Sequence, residues 1–302
     1  MEKNKISPVI SRVLNEQNQG PETRNLLFAE LEEELGRPVV SFFTSFRYSE
    51  VMIEDKDADI LEGVLQKTDL SNGLALVVSS PGGYGLAAER IINICRNYSK
   101  TGEYWSIVPS KAKSAATMIC LGASKIIMSE TSELGPVDPQ ITMNIGGLKE
   151  RLSLNNIVES YKDLFKKAVE EKKNLQPYLL QLSNYDEREI KEFKTAILLS
   201  EDIAVRYLKS GMMTDISKEK IKEKIDIFLK PTKKKAHGRP IYAKEALECG
   251  LNIELRDLRE KVWELLYELY IRTDNLVSTR AAKCIESQKY SFAAAYLRKE
   301  KK

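Results

Sequence analysis

Ser79-Ser80-Pro81-Gly82-Gly83 and, further along, Lys113-Ser114-Ala115-Ala116-Thr117-Met118 are the stretches whose reading decides the fold. Each follows a short apolar run and each opens a helical pattern. Leu74-Ala75-Leu76-Val77-Val78 is continuously apolar, as a strand covered on both faces must be. Pro81 and the two glycines turn the chain, and from Leu86 to Cys95 the apolar residues return at helical spacing. Glycine leaves φ free and lets the backbone approach a ligand closely. Amides at such a helix start can face an oxyanion.

The second stretch repeats the design. Tyr104-Trp105-Ser106-Ile107-Val108 reads as a strand, Pro109 and a polar turn follow, and Ser114 precedes the small, apolar run from Ala115 to Leu121. A serine there is an ordinary N-cap in most helices. Flanked by alanines it is also sterically open, at the positive end of the helix dipole, which suits a nucleophile whose alkoxide and tetrahedral product are negative. The upstream Pro-Gly-Gly turn favours the nucleophile.

The motif SSPGG (79–83), followed by VPSKAKSAATMICLGASKIIMSETSELGPVDPQ (108–140), resembles the serine dehydrogenase proteinase family. That family sits with the signal peptide peptidases and the Clp protease proteolytic subunit in the wider crotonase fold. The similarity is densest over residues 38–143 and returns from His237 to Leu251. It implies an α/β chain, a Clp/crotonase-like superhelix of β-β-α turns with additional helices at the N- and C-terminal ends. It implies a serine peptidase that hydrolyses peptide bonds through an acyl-enzyme at Ser114. Amides near Gly82, Gly83 and Ala115 would hold the oxyanion, and no cofactor is needed. A peptide or protein substrate and a homo-oligomer are expected, and peripheral membrane contact stays open because many relatives act on membrane proteins.

The 302 residues are 42% hydrophobic and 30% charged, with 47 basic and 44 acidic side chains. That near-balance does not mark a nucleic-acid binder. Cys95, Cys120, Cys249 and Cys284 are scattered without a CxxC pair, so buried free thiols in a reducing compartment are expected, with no zinc site. Met1-Glu2-Lys3-Asn4-Lys5 is not followed by an apolar leader core, and no run approaches the length of a membrane span, so a cytoplasmic protein is expected.

Along the chain, residues 1–37 read as an N-terminal helical arm. Residues 38–147 read as the core carrying the nucleophile, with strands at Val39–Phe46, Leu74–Val78, Tyr104–Val108 and Lys125–Met128 alternating with helices. Leu134-Gly135-Pro136-Val137-Asp138-Pro139-Gln140 is a rigid loop, because two prolines bracket Asp138. Residues 148–230 read as a charged helical insertion, 231–254 as the last core loop and helix, and 255–302 as a C-terminal helical extension.

Serine needs a base. His237 is the sole histidine. Aligned with the Clp pattern, His237 falls where the aspartate would be, and Asp138 falls where the histidine would be. The resemblance therefore implies an exchanged triad of Ser114, His237 and Asp138. The signal peptide peptidases use a Ser-Lys dyad, and Lys149, Lys162, Lys166 and Lys167 lie in range. Lys149, after Gly146-Gly147, is the alternative base, because the other three sit on a charged helix and a lysine base must be desolvated. Two rivals remain: a crotonase-type enzyme acting on acyl-CoA thioesters, and a catalytically silent Clp-fold scaffold. No GxGxxG follows a strand, so a redox activity is not expected.

Overall fold

The computed structural model describes residues 8–48, 50–145, 147–230 and 239–295. The first half runs α1 (Val9–Asn15), α2 (Glu22–Leu35), β1 (Val39–Thr44), α3 (Asp55–Leu65), β2 (Ala75–Ser79), α4 (Gly85–Tyr98), β3 (Trp105–Ile107), β4 (Lys111–Ala112), α5 (Ala115–Leu121), β5 (Lys125–Met128) and β6 (Glu133–Leu134). A hairpin of β7 (Gln140–Ile145) and β8 (Leu148–Ser153) leads into α6 (Leu154–Glu170), α7 (Gln176–Leu182), α8 (Glu187–Lys209), α9 (Lys218–Lys224) and α10 (Asp226–Leu229). The chain closes with β9 (Ile241–Tyr242), α11 (Ala243–Glu248), β10 (Ile253–Leu255), α12 (Lys261–Thr279), β11 (Lys283–Ser287) and β12 (Ser291–Ala294).

Seven strands form the main sheet in the order β10-β5-β3-β2-β1-β11-β12. The five from β10 to β1 are parallel, and β11 and β12 are added antiparallel. Alternation along each strand sorts the core into two layers. Val40, Phe42, Leu76, Val78, Ile126 and Met128 face α3, α4 and α5. Val39, Phe43, Ala75, Val77, Ile107 and Ile127 face α2 and α12. Covering both faces is what lets β2 read as unbroken apolar sequence. A small second sheet, β4-β6-β9, sits at the strand ends and carries the chain into Ser114.

Three boundaries differ from the sequence reading. The C-terminal extension is not wholly helical, because after α12 the chain returns as β11, pairing Thr44 with Lys283 and Val40 with Ser287. The division at residue 147 cuts a hairpin, since β7 and β8 pair from Gln140↔Ser153 to Ile145↔Leu148. The N-terminal helical arm packs into the core, since Leu27, Phe28, Leu31 and Leu35 of α2 are buried in the second core layer. All four cysteines are buried and free. Burial pushes the Cys120 thiol up to about 12 and the Cys249 thiol to about 11, so neither is a thiolate at neutral pH.

Candidate active site

Ligands of open parallel sheets bind beyond the carboxyl ends of the strands. Here β2 ends in the Ser80–Gly83 turn, and β3 leads through β4 to Ser114. Ser114 has φ 51° and ψ −119° and is the one positive-φ residue other than glycine among the described residues. The Ala116 amide donates to the Lys113 carbonyl at 2.9 Å, closing a type II′ turn with Ser114 at its first corner. That corner favours glycine, so a serine there stores about 1–3 kcal/mol of strain. The surroundings hold it in place. Ala115 to Leu121 are all buried, and Thr117 Oγ1 donates to the Ala112 carbonyl at 2.8 Å while accepting from the Gly135 amide at 3.1 Å. The Ser114 hydroxyl has no hydrogen-bond partner among the described residues.

The two glycines of the turn have different jobs. Gly82 has φ +105°, and a Cβ there would lie 2.7 Å from the Ser114 Cβ and 2.6 Å from the Lys113 carbonyl oxygen. Its amide donates to Ser80 Oγ at 3.0 Å, so this N–H is engaged within the protein, where the sequence reading grouped Gly82 with Gly83 and Ala115. Its place is steric. Gly83 forms a parallel bridge with Ile53, in which Ile53 donates to the Gly82 carbonyl and accepts from the Tyr84 amide, both at 2.9 Å. In that pattern Gly83 turns its own N–H and C=O to the opposite side. A Cβ on Gly83 would fall 2.2 Å from the Ile53 nitrogen. The amides of Gly83 and Ala115 have no acceptor among the described residues, and both flank Ser114.

Ser80, Thr44 and Ile53 are site residues that sequence reasoning missed. Ser80 is fully buried, and its Oγ lies 2.6 Å from Thr44 Oγ1 on β1. Its backbone accepts from Lys113 at 3.0 Å and donates to Lys111 at 3.2 Å, so one residue ties the glycine turn to the strand that presents Ser114. The Ser79-Ser80 pair before proline was visible in the sequence, but nothing local says that its hydroxyl turns inward.

A cleft of about 740 Å³ opens over Ser114, walled by Pro81 to Ala87, by Val51 and Met52, by Pro139 and the start of β7 to Thr142, and by Ala196, Leu199 and Ile203 of α8. Its charged side chains are Asp55, ion-paired to Arg90 at 2.8 Å, and Arg151. Lys113 is turned away, donating to Glu133 at 2.8 Å and to the Leu134 carbonyl at 3.0 Å. Asp138 is buried one residue before the cleft wall and accepts from Asn155 Nδ2. His237 lies outside the described residues. The two ends of its loop converge on the Asp138 segment. Val137 donates to the Phe228 carbonyl at 2.9 Å, and Ile241 pairs with Leu134. Lys149 stands opposite Asn144 in β8, with its side chain outside the described set. Lys162 and Lys166 are exposed on α6 and paired with Glu159 and Glu170, and Lys167 is exposed there too; none of the three lines the cleft. Among the described residues no group of three or more His, Cys, Asp or Glu side chains converges on a metal site.

A serine on a strained turn, two free amides beside it and a parallel sheet beneath define a ClpP-like serine-peptidase architecture. The model of the ClpP-like SDH-type serine proteinases matches residues 33–285, and the chain belongs to that family. It is 29% identical over 247 residues to the uncharacterized protein MJ0137 of Methanocaldococcus jannaschii, covering 78% of this chain and 68% of that one. It is 34% identical over 107 residues to the uncharacterized protein MJ1495 of the same organism, covering 35% of this chain and only 32% of that one. Among solved structures it is similar to a serine-to-alanine mutant of the 1510-N membrane-bound stomatin-specific protease, at 16% identity and a TM-score of 0.36, covering 72% of this chain and 79% of that chain. No helix among the described residues is long and apolar enough to cross a membrane.

Proposed function

We propose that the protein hydrolyses peptide bonds through an acyl-enzyme on Ser114. The observation that carries this reading is the strained Ser114 turn, which shares one cleft with Gly83, and the unoccupied amides of Gly83 and of Ala115, next in the chain. In this reading Ser114 Oγ attacks the scissile carbonyl, and the carbonyl oxygen moves between the two amides as it gains charge. The base is His237, which takes the serine proton and returns it to the leaving amine, with Asp138 orienting the ring. The convergence of both ends of the 231–238 loop on the Asp138 segment supports that assignment over Lys149. The peptide lies extended across the cleft, donating to the Gly83 carbonyl on one side and pairing on the other with the edge of β7, whose one partner strand among the described residues is β8. A homo-oligomeric assembly and a peptide or protein substrate belong to the same reading.

Labelling with a fluorophosphonate probe tests it. Wild type should label, and Ser114→Ala and His237→Ala should not, while Lys149→Ala labels normally. The labelling rate should rise through about pH 6 to 7, as a neutral imidazole becomes available. Loss with Lys149→Ala alone moves the base to a Ser-Lys dyad. No labelling of folded wild type overturns the reading in favour of a silent scaffold.

A further inference from the structure

Lys283 is a buried cation on β11, opposite Thr44 of β1, and it does not line the cleft. Its Nζ donates to Asp57 Oδ1 and Oδ2 at 3.0 and 2.8 Å, and to Glu54 Oε1 at 2.6 Å. Asp57 is buried in the first turn of α3, and its Oδ2 also accepts from the Glu54 amide at 2.8 Å. Burial pushes the Asp57 carboxyl above its ordinary value, and the Lys283 hydrogen bond works against that. Lys283 therefore favours the charged acceptor at a place where burial alone favours the neutral acid.

The Glu54 N–H belongs to the same planar peptide unit as the Ile53 carbonyl, and in a trans unit the two point in opposite directions. Holding the N–H on Asp57 thus aims the carbonyl. That carbonyl accepts from the Tyr84 amide at 2.9 Å. The Tyr84 N–H shares its own peptide unit with the Gly83 carbonyl, so the same rule aims the Gly83 carbonyl away from Ile53. Gly83 lines the cleft beside Ser114. Burial of the Ile53 side chain sets where that residue sits, but it leaves the peptide planes free to turn. The pair of Lys283 and Asp57 supplies the second restraint.

We propose that Lys283 is a positioning residue for substrate: through Asp57, the Ile53–Glu54 peptide and the Tyr84 amide, it holds the Gly83 carbonyl in the direction that accepts a backbone N–H of the bound peptide. This role rests on Ser114 being the nucleophile of a peptidase, and it makes the C-terminal strand part of substrate recognition. The Gly83 amide is held differently. It shares a peptide unit with the Gly82 carbonyl, which takes the Ile53 N–H at 2.9 Å, one peptide unit further from Asp57. Loss of Lys283 therefore disturbs backbone pairing more than the oxyanion site.

Two serine-directed probes separate these effects in the full chain: an alkyl fluorophosphonate, which has no backbone amide, and acetyl-Ala-Ala-Phe diphenyl phosphonate, which has several. Both should label wild type. Lys283→Met should slow the peptidyl probe by about five-fold or more, the loss of one hydrogen bond, and leave the alkyl probe within about two-fold. Lys283→Met with Asp57→Leu strands no buried charge, so it keeps the fold, and it should show the same selective loss. Arg24→Ala breaks the other ion pair of β11, and at a temperature where circular dichroism shows it folded it should leave the ratio of the two rates unchanged. An equal fall with both probes, no fall with either, or a changed ratio in Arg24→Ala overturns the proposal. So does a wild type that reacts with the alkyl probe but not with the peptidyl one, and in all four cases Ser114 stands as the nucleophile. A folded wild type that neither probe labels removes the Ser114 reading itself, and the role of Lys283 with it.

Discussion

At Ser114 the backbone carries a conformation that a serine adopts only when its surroundings insist. The insistence comes from three sides: the buried α5 behind it, Gly82 pressed against its Cβ, and Ser80 linking the two loops. The Ser80 hydroxyl fills the Gly82 amide and leaves Gly83 and Ala115 as the free donors. Ser80→Ala strips the Gly82 N–H and the Thr44 hydroxyl of their partner, a cost of about 1–3 kcal/mol in stability. It also loosens the glycine turn, so fluorophosphonate labelling should slow by about ten-fold or more. Ser80→Thr, which keeps the hydroxyl, should recover most of the rate. Equal labelling rates in all three proteins would remove Ser80 from the site.

Among the elements, α12 pairs a packing role with an electrostatic cost. Its Val262, Trp263, Leu266 and Leu269 cover the sheet, but Asp274 on the same helix is half-buried without a hydrogen bond or ion pair among the described residues. Burial pushes its carboxyl above the ordinary value, and the charge of Lys111 offsets this only in part. A carboxyl whose folded pKa is raised binds its proton more tightly in the native state. Stability therefore falls as pH rises from the ordinary carboxylate range through the raised value, then stays low. Asp274→Asn removes that loss. Its Tm should exceed wild type at pH 7, with the advantage gone at pH 3; thermal melts at the two values decide it. The elements that the sequence revealed are those whose burial is apolar, such as β2, β3 and α5. Strand β11, Lys-Cys-Ile-Glu-Ser, stayed hidden because its buried residues include Lys283 and Glu286. Their charges look like surface until their partners are known.

For the molecule as a whole, those partners join the two ends of the chain. Lys283 donates to both oxygens of Asp57, at 3.0 and 2.8 Å, and to Glu54 at 2.6 Å, anchoring the start of α3 beside the Ile53 clamp on Gly83. Arg24 of α2 makes a two-pronged pair with Glu286, both bonds at 2.6 Å, with the two side chains 1% and 2% exposed. Breaking one half strands a buried charge. Arg24→Ala should cost about 3–5 kcal/mol in urea unfolding, whereas Arg24→Met with Glu286→Leu should recover most of it. An additive double mutant would mean that the pair carries no coupling.

By itself the sequence determined the parallel α/β core, the two turns at the strand ends and the place of Ser114 at the head of a buried helix. These depend on local spacing: apolar runs of strand length, glycines beside proline, and a serine opening an apolar helix. The tertiary structure decided which glycine offers an amide, which hydroxyl sets the turn, and that the C-terminal segment completes the sheet. Each depends on contacts between residues far apart in the chain, where a charge is buried only because another meets it and an amide is free only because its neighbour is taken.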